Sequence, residues 1–246
     1  MSLFCLVHGA CQGAWCWDLL IPELEARGHK AVTMDLPIED PSATLSDFAD
    51  AVLRSLPQDE DDIMLVGHSM AGTIIPIVAN QRLVRQLVFL TALIPYPETS
   101  TLDQFYEDIP DILKAAGYDP PEETKLEKFR HEPEMFVPAW IGKNPLENEA
   151  VAMELLFHDC KPDIARWAIS QLRNHQSPAH ISDVFPLQSL PDVEYKYIVC
   201  GDDRTISPTW SRYAARKRLG VDAIELPGGH CPYLSRPVQL ASVLCM

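Results

Sequence analysis

Apolar positions along the chain follow two patterns. Short, nearly unbroken apolar runs occur at residues 4–7, 63–66 and 86–90, and shorter or partly polar ones at 30–34, 194–200 and 223–226. Runs of this length, ended by polar or glycine-bearing turns, read as strands buried on both faces. Between them apolar residues recur at helical spacing. Trp15, Leu19, Leu20 and Leu24 do so up to Gly28, a plausible helix stop, and helices are also expected from Thr44 to about Leu56, over 73–81, over 209–219, and from Tyr233 to the C-terminus. The opening order β-α-β-α-β-α-β implies a parallel sheet built with right-handed crossovers.

The rhythm breaks after residue 97. From about 98 to 190 no stretch carries a strand pattern, and proline-punctuated helical segments are expected over 102–116, 122–131, 146–157 and 163–172. The acids Glu107, Asp108, Asp111, Glu122, Glu123, Glu127, Glu132 and Glu134 read as a solvated face. This stretch is expected to be a helical cap inserted into one α/β domain spanning residues 1–246, with the core at 1–97 and 191–246 and a six-stranded, mostly parallel sheet flanked by helices. A chain of 246 residues can bury one core of that size.

The strand at 63–66 runs directly into Gly67-His68-Ser69-Met70-Ala71-Gly72. A serine among small residues at a strand-to-helix turn is the nucleophile-elbow arrangement, which lifts the hydroxyl out of the sheet beside a helix N-terminus. Ala71 stands where the commonest pattern has glycine, and Gly72 follows it. Two further groups leave strand ends, where an α/β sheet collects its chemistry: Asp202-Asp203 after the fifth strand and His230 after the sixth. The order Ser, acid, His belongs to the α/β-hydrolase arrangement. His230 would take the Ser69 proton, and a carboxylate would hold the imidazole in the required tautomer. Consecutive side chains leaving a strand point in opposite directions, so at most one of the two aspartates reaches His230. The oxyanion hole calls for the backbone N–H of Met70 and an N–H of the His8-Gly9-Ala10 loop, best supplied by Ala10. His8 and His68 read as loop-orienting neighbours, and Cys11, Cys16 and Cys231 as small buried hydrophobes. Trp140 and Phe157 fit either a pocket lining or cap packing.

Composition narrows the partners. A net charge of −15 disfavours nucleic acid and anionic membrane surfaces. No run approaches a membrane span, and no secretory leader pattern opens the chain. Seven cysteines without a Cys-x-x-Cys pair speak against a disulfide framework or zinc site and for a cytoplasmic location. No metal is expected, and the composition leaves room for a homodimer.

The run from Leu6 to Trp17 (Leu6-Val7-His8-Gly9-Ala10-Cys11-Gln12-Gly13-Ala14-Trp15-Cys16-Trp17), taken with the elbow sequence, resembles the α/β-hydrolase group that contains plant methyl-salicylate and methyl-jasmonate esterases, hydroxynitrile lyases and many bacterial esterases. The resemblance covers nearly the whole core. In the expected cap, Phe157-His158-Asp159-Cys160 and Ala165-Arg166-Trp167-Ala168 are similar to bacterial members. The resemblance implies a cofactor-free hydrolase with a mostly apolar pocket under the cap. It implies a triad of Ser69, Asp203 and His230, with Asp203 preferred over Asp202 from its spacing to Pro208, and oxyanion donors at Ala10 and Met70. The lyases of the group carry threonine after the first-strand histidine and lysine after the catalytic histidine; here Gly9 and Cys231 stand there. The expectation is a carboxylic-ester hydrolase for a small, largely apolar ester. A hydroxynitrile-lyase activity on the same scaffold and a weakly catalytic ligand-binding protein are the rivals.

Overall fold

A computed structural model describes residues 1–104, 129, 131–140 and 142–246. Six strands form one sheet: β1 (Leu3–Val7), β2 (Lys30–Thr33), β3 (Ile63–His68), β4 (Gln86–Leu90), β5 (Glu194–Cys200) and β6 (Ile224–Leu226). Their order is β2-β1-β3-β4-β5-β6, and every neighbouring pair is parallel. The sheet is thus wholly parallel.

The strands alternate between two apolar clusters, one on each face of the sheet. Leu3, Cys5, Val7, Ile63, Leu65, Leu87 and Phe89 join one, while Phe4, Leu6, Met64, Val66, Val88 and Leu90 join the other. Period-two alternation with both sets apolar is what a parallel sheet covered on both faces demands. From β1 the chain steps outward to β2, then returns to the other side of β1 for β3. A sheet of this kind opens a crevice at the carboxyl ends of its strands where the order reverses. His8 leaves β1 and Ser69 leaves β3 at that reversal.

Helix existence follows the apolar spacing, and helix limits follow proline. Helix α2 (Leu45–Ser55) starts where expected because Thr44 and Asp47 form a reciprocal capping box. The helix expected from Trp15 to Leu24 is instead a 3-10 turn, Ala14–Trp17, followed by α1 (Ile21–Glu25) with Pro22 in its first turn. The helix expected over 73–81 is a 3-10 turn, Ser69–Thr73, followed by α3 (Ile75–Ala79) with Pro76 in its first turn. Proline has no N–H to donate one turn back, so it belongs at a helix start and cannot continue one.

Between β4 and β5 the described residues hold a 3-10 turn (Leu102–Gln104) and helices α4 (Glu149–Leu155), α5 (Pro162–Ser170) and α6 (Ala179–Ser182). The helices expected over 102–116 and 122–131 fall almost entirely outside the described residues, as do Glu107, Asp108, Asp111, Glu122, Glu123 and Glu127. One isolated antiparallel bridge joins Phe136 to Ile206. After β5, α7 (Pro208–Ala214) runs on into a π turn, Ala215–Leu219. The C-terminal helix divides into α8 (Pro232–Ser235) and α9 (Pro237–Leu244), because Pro237 pushes Arg236 out of the helical region, to φ −144° and ψ 48°. Among the described residues no helix is long and apolar enough to cross a membrane.

Candidate active site

Ser69 occupies the sharp turn between β3 and its 3-10 continuation, with φ +53°. A non-glycine residue in the left-handed region is held there by its surroundings. The surroundings here are tight. A β-carbon on Gly67 would lie 2.9 Å from the carbonyl oxygen of Ala71, and one on Gly72 would run into the carbonyl oxygen of Leu93. The Ser69 carbonyl accepts the N–H of Leu93 at 3.0 Å. Ala71 is itself fully buried, so the methyl at the position usually held by glycine fits, and the close approach falls to Gly72. The residues after Ser69 form a 3-10 turn, not the α-helix expected. The donors available at the site are therefore individual N–H groups rather than the end of a long helix.

The loops after β5 and β6 bring two side chains to Ser69. His230 Nε2 lies 3.0 Å from Ser69 Oγ, and His230 Nδ1 lies 2.8 Å from Asp203 Oδ2. All three residues are buried. The other Asp203 oxygen accepts the N–H groups of Thr205 at 2.7 Å and Ile206 at 3.1 Å, which fixes the carboxylate's plane. Asp202 is exposed, and its N–H donates to the Gly228 carbonyl at 3.0 Å. With Nδ1 donating to Asp203, Nε2 is the imidazole nitrogen free to accept from Ser69.

The neighbouring histidines are bound structurally. His8 Nδ1 donates to the Gly9 carbonyl at 2.8 Å and its Nε2 accepts the Leu36 N–H at 2.9 Å. Burial lowers its pKa to about 4, so the ring is neutral. His68 Nε2 donates to the His230 carbonyl at 2.9 Å, a contact shared with the Thr91 hydroxyl at 3.3 Å. Burial, reinforced by His230 beside it, holds the His68 pKa well below its ordinary value. Both nitrogens of His8 are thus engaged, and the remaining nitrogen of His68, Nδ1, lies 3.4 Å from the Tyr233 hydroxyl. The thiols are inert for the same reason of burial: Cys11 is pushed up to about 12 and Cys231 well above its ordinary value.

Ala10 follows Gly9 in the loop after β1, where a β-carbon on Gly9 would lie 2.9 Å from that of Ser69, and Met70 follows Ser69 in the 3-10 turn. Neither N–H donates to a turn or loop carbonyl among the described residues. Several contacts around the site had no signature in the sequence. Gln12 Oε1 accepts the Tyr233 hydroxyl at 2.8 Å, tying the loop after β1 to the segment after His230. Asp159 Oδ2 accepts the Gly229 N–H at 3.0 Å beside the histidine. Phe157 is fully buried within the cluster that contains Leu155 and Leu156, so it packs the interior, and Trp140 packs partly buried against the same cluster. A cavity of about 230 Å³, lined by residues 145–149 with Ile169 and Leu172, shares no residue with Ser69, His230 or Asp203.

A wholly parallel sheet with Ser, His and Asp linked by hydrogen bonds at its carboxyl edge defines a serine hydrolase. The family model described as "Alpha/beta hydrolase family" matches residues 6–243. The chain belongs to that family. Methylesterase 1 of Arabidopsis thaliana is 37% identical, the match covering 97% of this chain and 92% of that protein. Salicylic acid-binding protein 2 of Nicotiana tabacum is 28% identical over 98% of this chain and 95% of its own length. Among solved structures, a pyrethroid hydrolase from Sphingobium faniae JZ-2 superposes with a TM-score of 0.69 at 19% identity, covering 99% of this chain and 96% of that one, a likeness of fold.

Proposed function

We infer that the protein is a carboxylic-ester hydrolase that acts on a small, largely apolar ester through an acyl-serine intermediate. The single observation that carries this reading is the continuous hydrogen-bonded path from Ser69 Oγ through His230 to Asp203. As the Ser69 proton passes to His230 Nε2, Oγ attacks the ester carbonyl. The oxygen becomes negative as its tetrahedral carbon forms, and the N–H groups of Ala10 and Met70 stabilise it. Collapse expels the alcohol, which takes the proton from His230. Water then repeats the sequence on the acyl-serine, and the acid leaves. The esterase names of the relatives support the choice of an ester over other acyl compounds.

The lyase alternative is disfavoured at both positions that would distinguish it. A β-carbon on Gly9 would lie 2.7 Å from His68 Nδ1 and 2.9 Å from the Ser69 β-carbon, so no threonine is accommodated there. Cys231, where a lysine would stand, is a buried thiol 3.1 Å from the Tyr233 hydroxyl and supplies no charge for a departing cyanide. All seven cysteines are unpaired, which supports the reading of a reducing, cytoplasmic setting. The test is rapid mixing with a p-nitrophenyl ester: a burst of p-nitrophenol stoichiometric with enzyme supports an acyl-enzyme. Cyanohydrin cleavage without ester hydrolysis would move the assignment to the lyases.

A further inference from the structure

Cys11 directly follows the proposed oxyanion donor Ala10 and has φ +61°, a left-handed conformation that a residue bearing a side chain keeps only when neighbours impose it. The neighbours come from the stretch between α5 and α6, far away in sequence. The Cys11 N–H donates to His175 Nδ1 at 3.3 Å, and the Cys11 carbonyl accepts the backbone N–H of Arg173 at 2.8 Å. The Arg173 guanidinium then donates to the carbonyls of Gln12 at 3.4 Å and Leu36 at 3.2 Å. It also pairs with Asp35 at 3.4 Å and Glu39 at 3.3 Å. Asp35 Oδ1 in turn accepts the Ala14 N–H at 2.8 Å. On the other side of Ala10, His8 secures Gly9 and Leu36. The loop is therefore fastened before and after Ala10.

His175 is suited to accept. Burial, with the Arg173 charge adding to it, lowers its pKa to about 4, so the ring is neutral at physiological pH. With Nδ1 accepting, the proton sits on Nε2, on a ring packed 4.8 Å from that of His180.

The geometry points to His175 and Arg173 as positioning residues of the oxyanion hole: they impose the left-handed turn at Cys11 and so aim the Ala10 N–H at the substrate's carbonyl oxygen. This inference rests on the ester-hydrolase reading and on Ala10 as a donor. A donor fixed in advance stabilises the oxyanion more than the ground-state carbonyl, so loosening it lowers kcat and leaves KM nearly alone.

The test uses His175→Leu, which keeps bulk and removes the acceptor, and His175→Asn, which restores an oxygen near the Nδ1 position. Three quantities are read: kcat and KM on p-nitrophenyl acetate, inhibition by a trifluoromethyl ketone that forms a tetrahedral adduct on serine, and hydrogen–deuterium exchange of the peptide covering residues 9–13. For His175→Leu, kcat is expected to fall on the order of ten- to a hundredfold, with KM changed by less than about threefold. The ketone should weaken by the same factor as kcat, and exchange should quicken in residues 9–13 alone. His175→Asn should retain kcat within about threefold of the parent. If His175→Leu does not fold, His175→Gln, whose longer side chain carries its amide past the Nδ1 position, is read in its place. Unchanged exchange over 9–13, a change in KM alone, or equal losses in the Leu and Asn variants would overturn the proposal. So would faster exchange with kcat and ketone affinity intact, since the clamp would then not serve the hole. Failure of the ester-hydrolase reading is told apart because it shows in the unmutated chain, as absence of both ester turnover and ketone binding.

Discussion

Asp203 and His230 meet at 2.8 Å, carboxylate oxygen to Nδ1, while Asp202, one residue earlier on the same loop, faces solvent. The two aspartates thus make a controlled comparison. Asp203→Asn should lower kcat/KM on the order of ten-thousandfold, because an amide partner favours the wrong imidazole tautomer. Asp202→Asn should cost about tenfold or less, since Asp202 is exposed and its charge acts through solvent. Both are measured on one activated ester, with circular dichroism confirming the folds. The reverse ranking would transfer the role to Asp202.

Stability should fall as the solution is acidified, beginning near neutrality. Burial holds His8 and His175 down at about 4, and His68 and His180 well below 6.5. In the unfolded chain each binds its proton near pH 6.5. Between those values the unfolded state holds more protons than the folded one, so folding free energy is lost as pH falls through the window. For His8 alone the loss is about 3 kcal/mol by pH 4. Carboxylates held low act further down: Asp62 is lowered by its hydrogen bond with Ser2, and Glu225 by Arg212. Urea midpoints at pH 7.5, 6.5 and 5.5 should therefore decline in order. A flat or rising series would contradict the neutral, buried histidines.

Arg218 anchors the π turn after α7 to the segment after β4. Its guanidinium donates to the Ile94 carbonyl at 2.6 Å and to Gln104 Oε1 at 2.7 Å, and it pairs with Glu132. It also lies 5.3 Å from the ring of Trp210, with Tyr96 and Phe129 at similar range. The side chains of the ion pair are 3% and 10% exposed. Removing Glu132 leaves the buried Arg218 guanidinium without that carboxylate, which costs about 3–5 kcal/mol. Glu132→Leu should lower stability by that amount in denaturant melts, and Arg218→Met added to it should recover much of the loss. No recovery in the double variant would show that the pair is not coupled in this way.

The strands and the elbow were legible in the sequence because both are local. An apolar run ending in Gly-His-Ser among small residues carries its own geometry, and Thr44 with Asp47 announces a helix start within four residues. Helix limits were less legible. The apolar spacing runs straight through Pro22, Pro76 and Pro237, where backbone chemistry divides the helices. The bonds that hold the loop after β1 left no trace. His175 reaches Cys11 across 164 residues and Tyr233 reaches Gln12 across 221, and nothing in local periodicity encodes such pairings. Phe157, whose sequence fitted either pocket or packing, proved to be an interior residue: it follows the end of α4 and is fully buried in the same cluster as Leu155 and Leu156.

The most direct test of the account is the covalent state of Ser69 during turnover. The protein is mixed with excess p-nitrophenyl ester, quenched in acid at steady state, digested, and read by peptide mass spectrometry. The account predicts one acyl group per chain on the peptide containing Ser69. It predicts no acyl group in Ser69→Ala, whose turnover should fall on the order of a million-fold while its fold persists. An acyl group on any other residue, or a Ser69→Ala protein retaining activity within about tenfold of the parent, would contradict it.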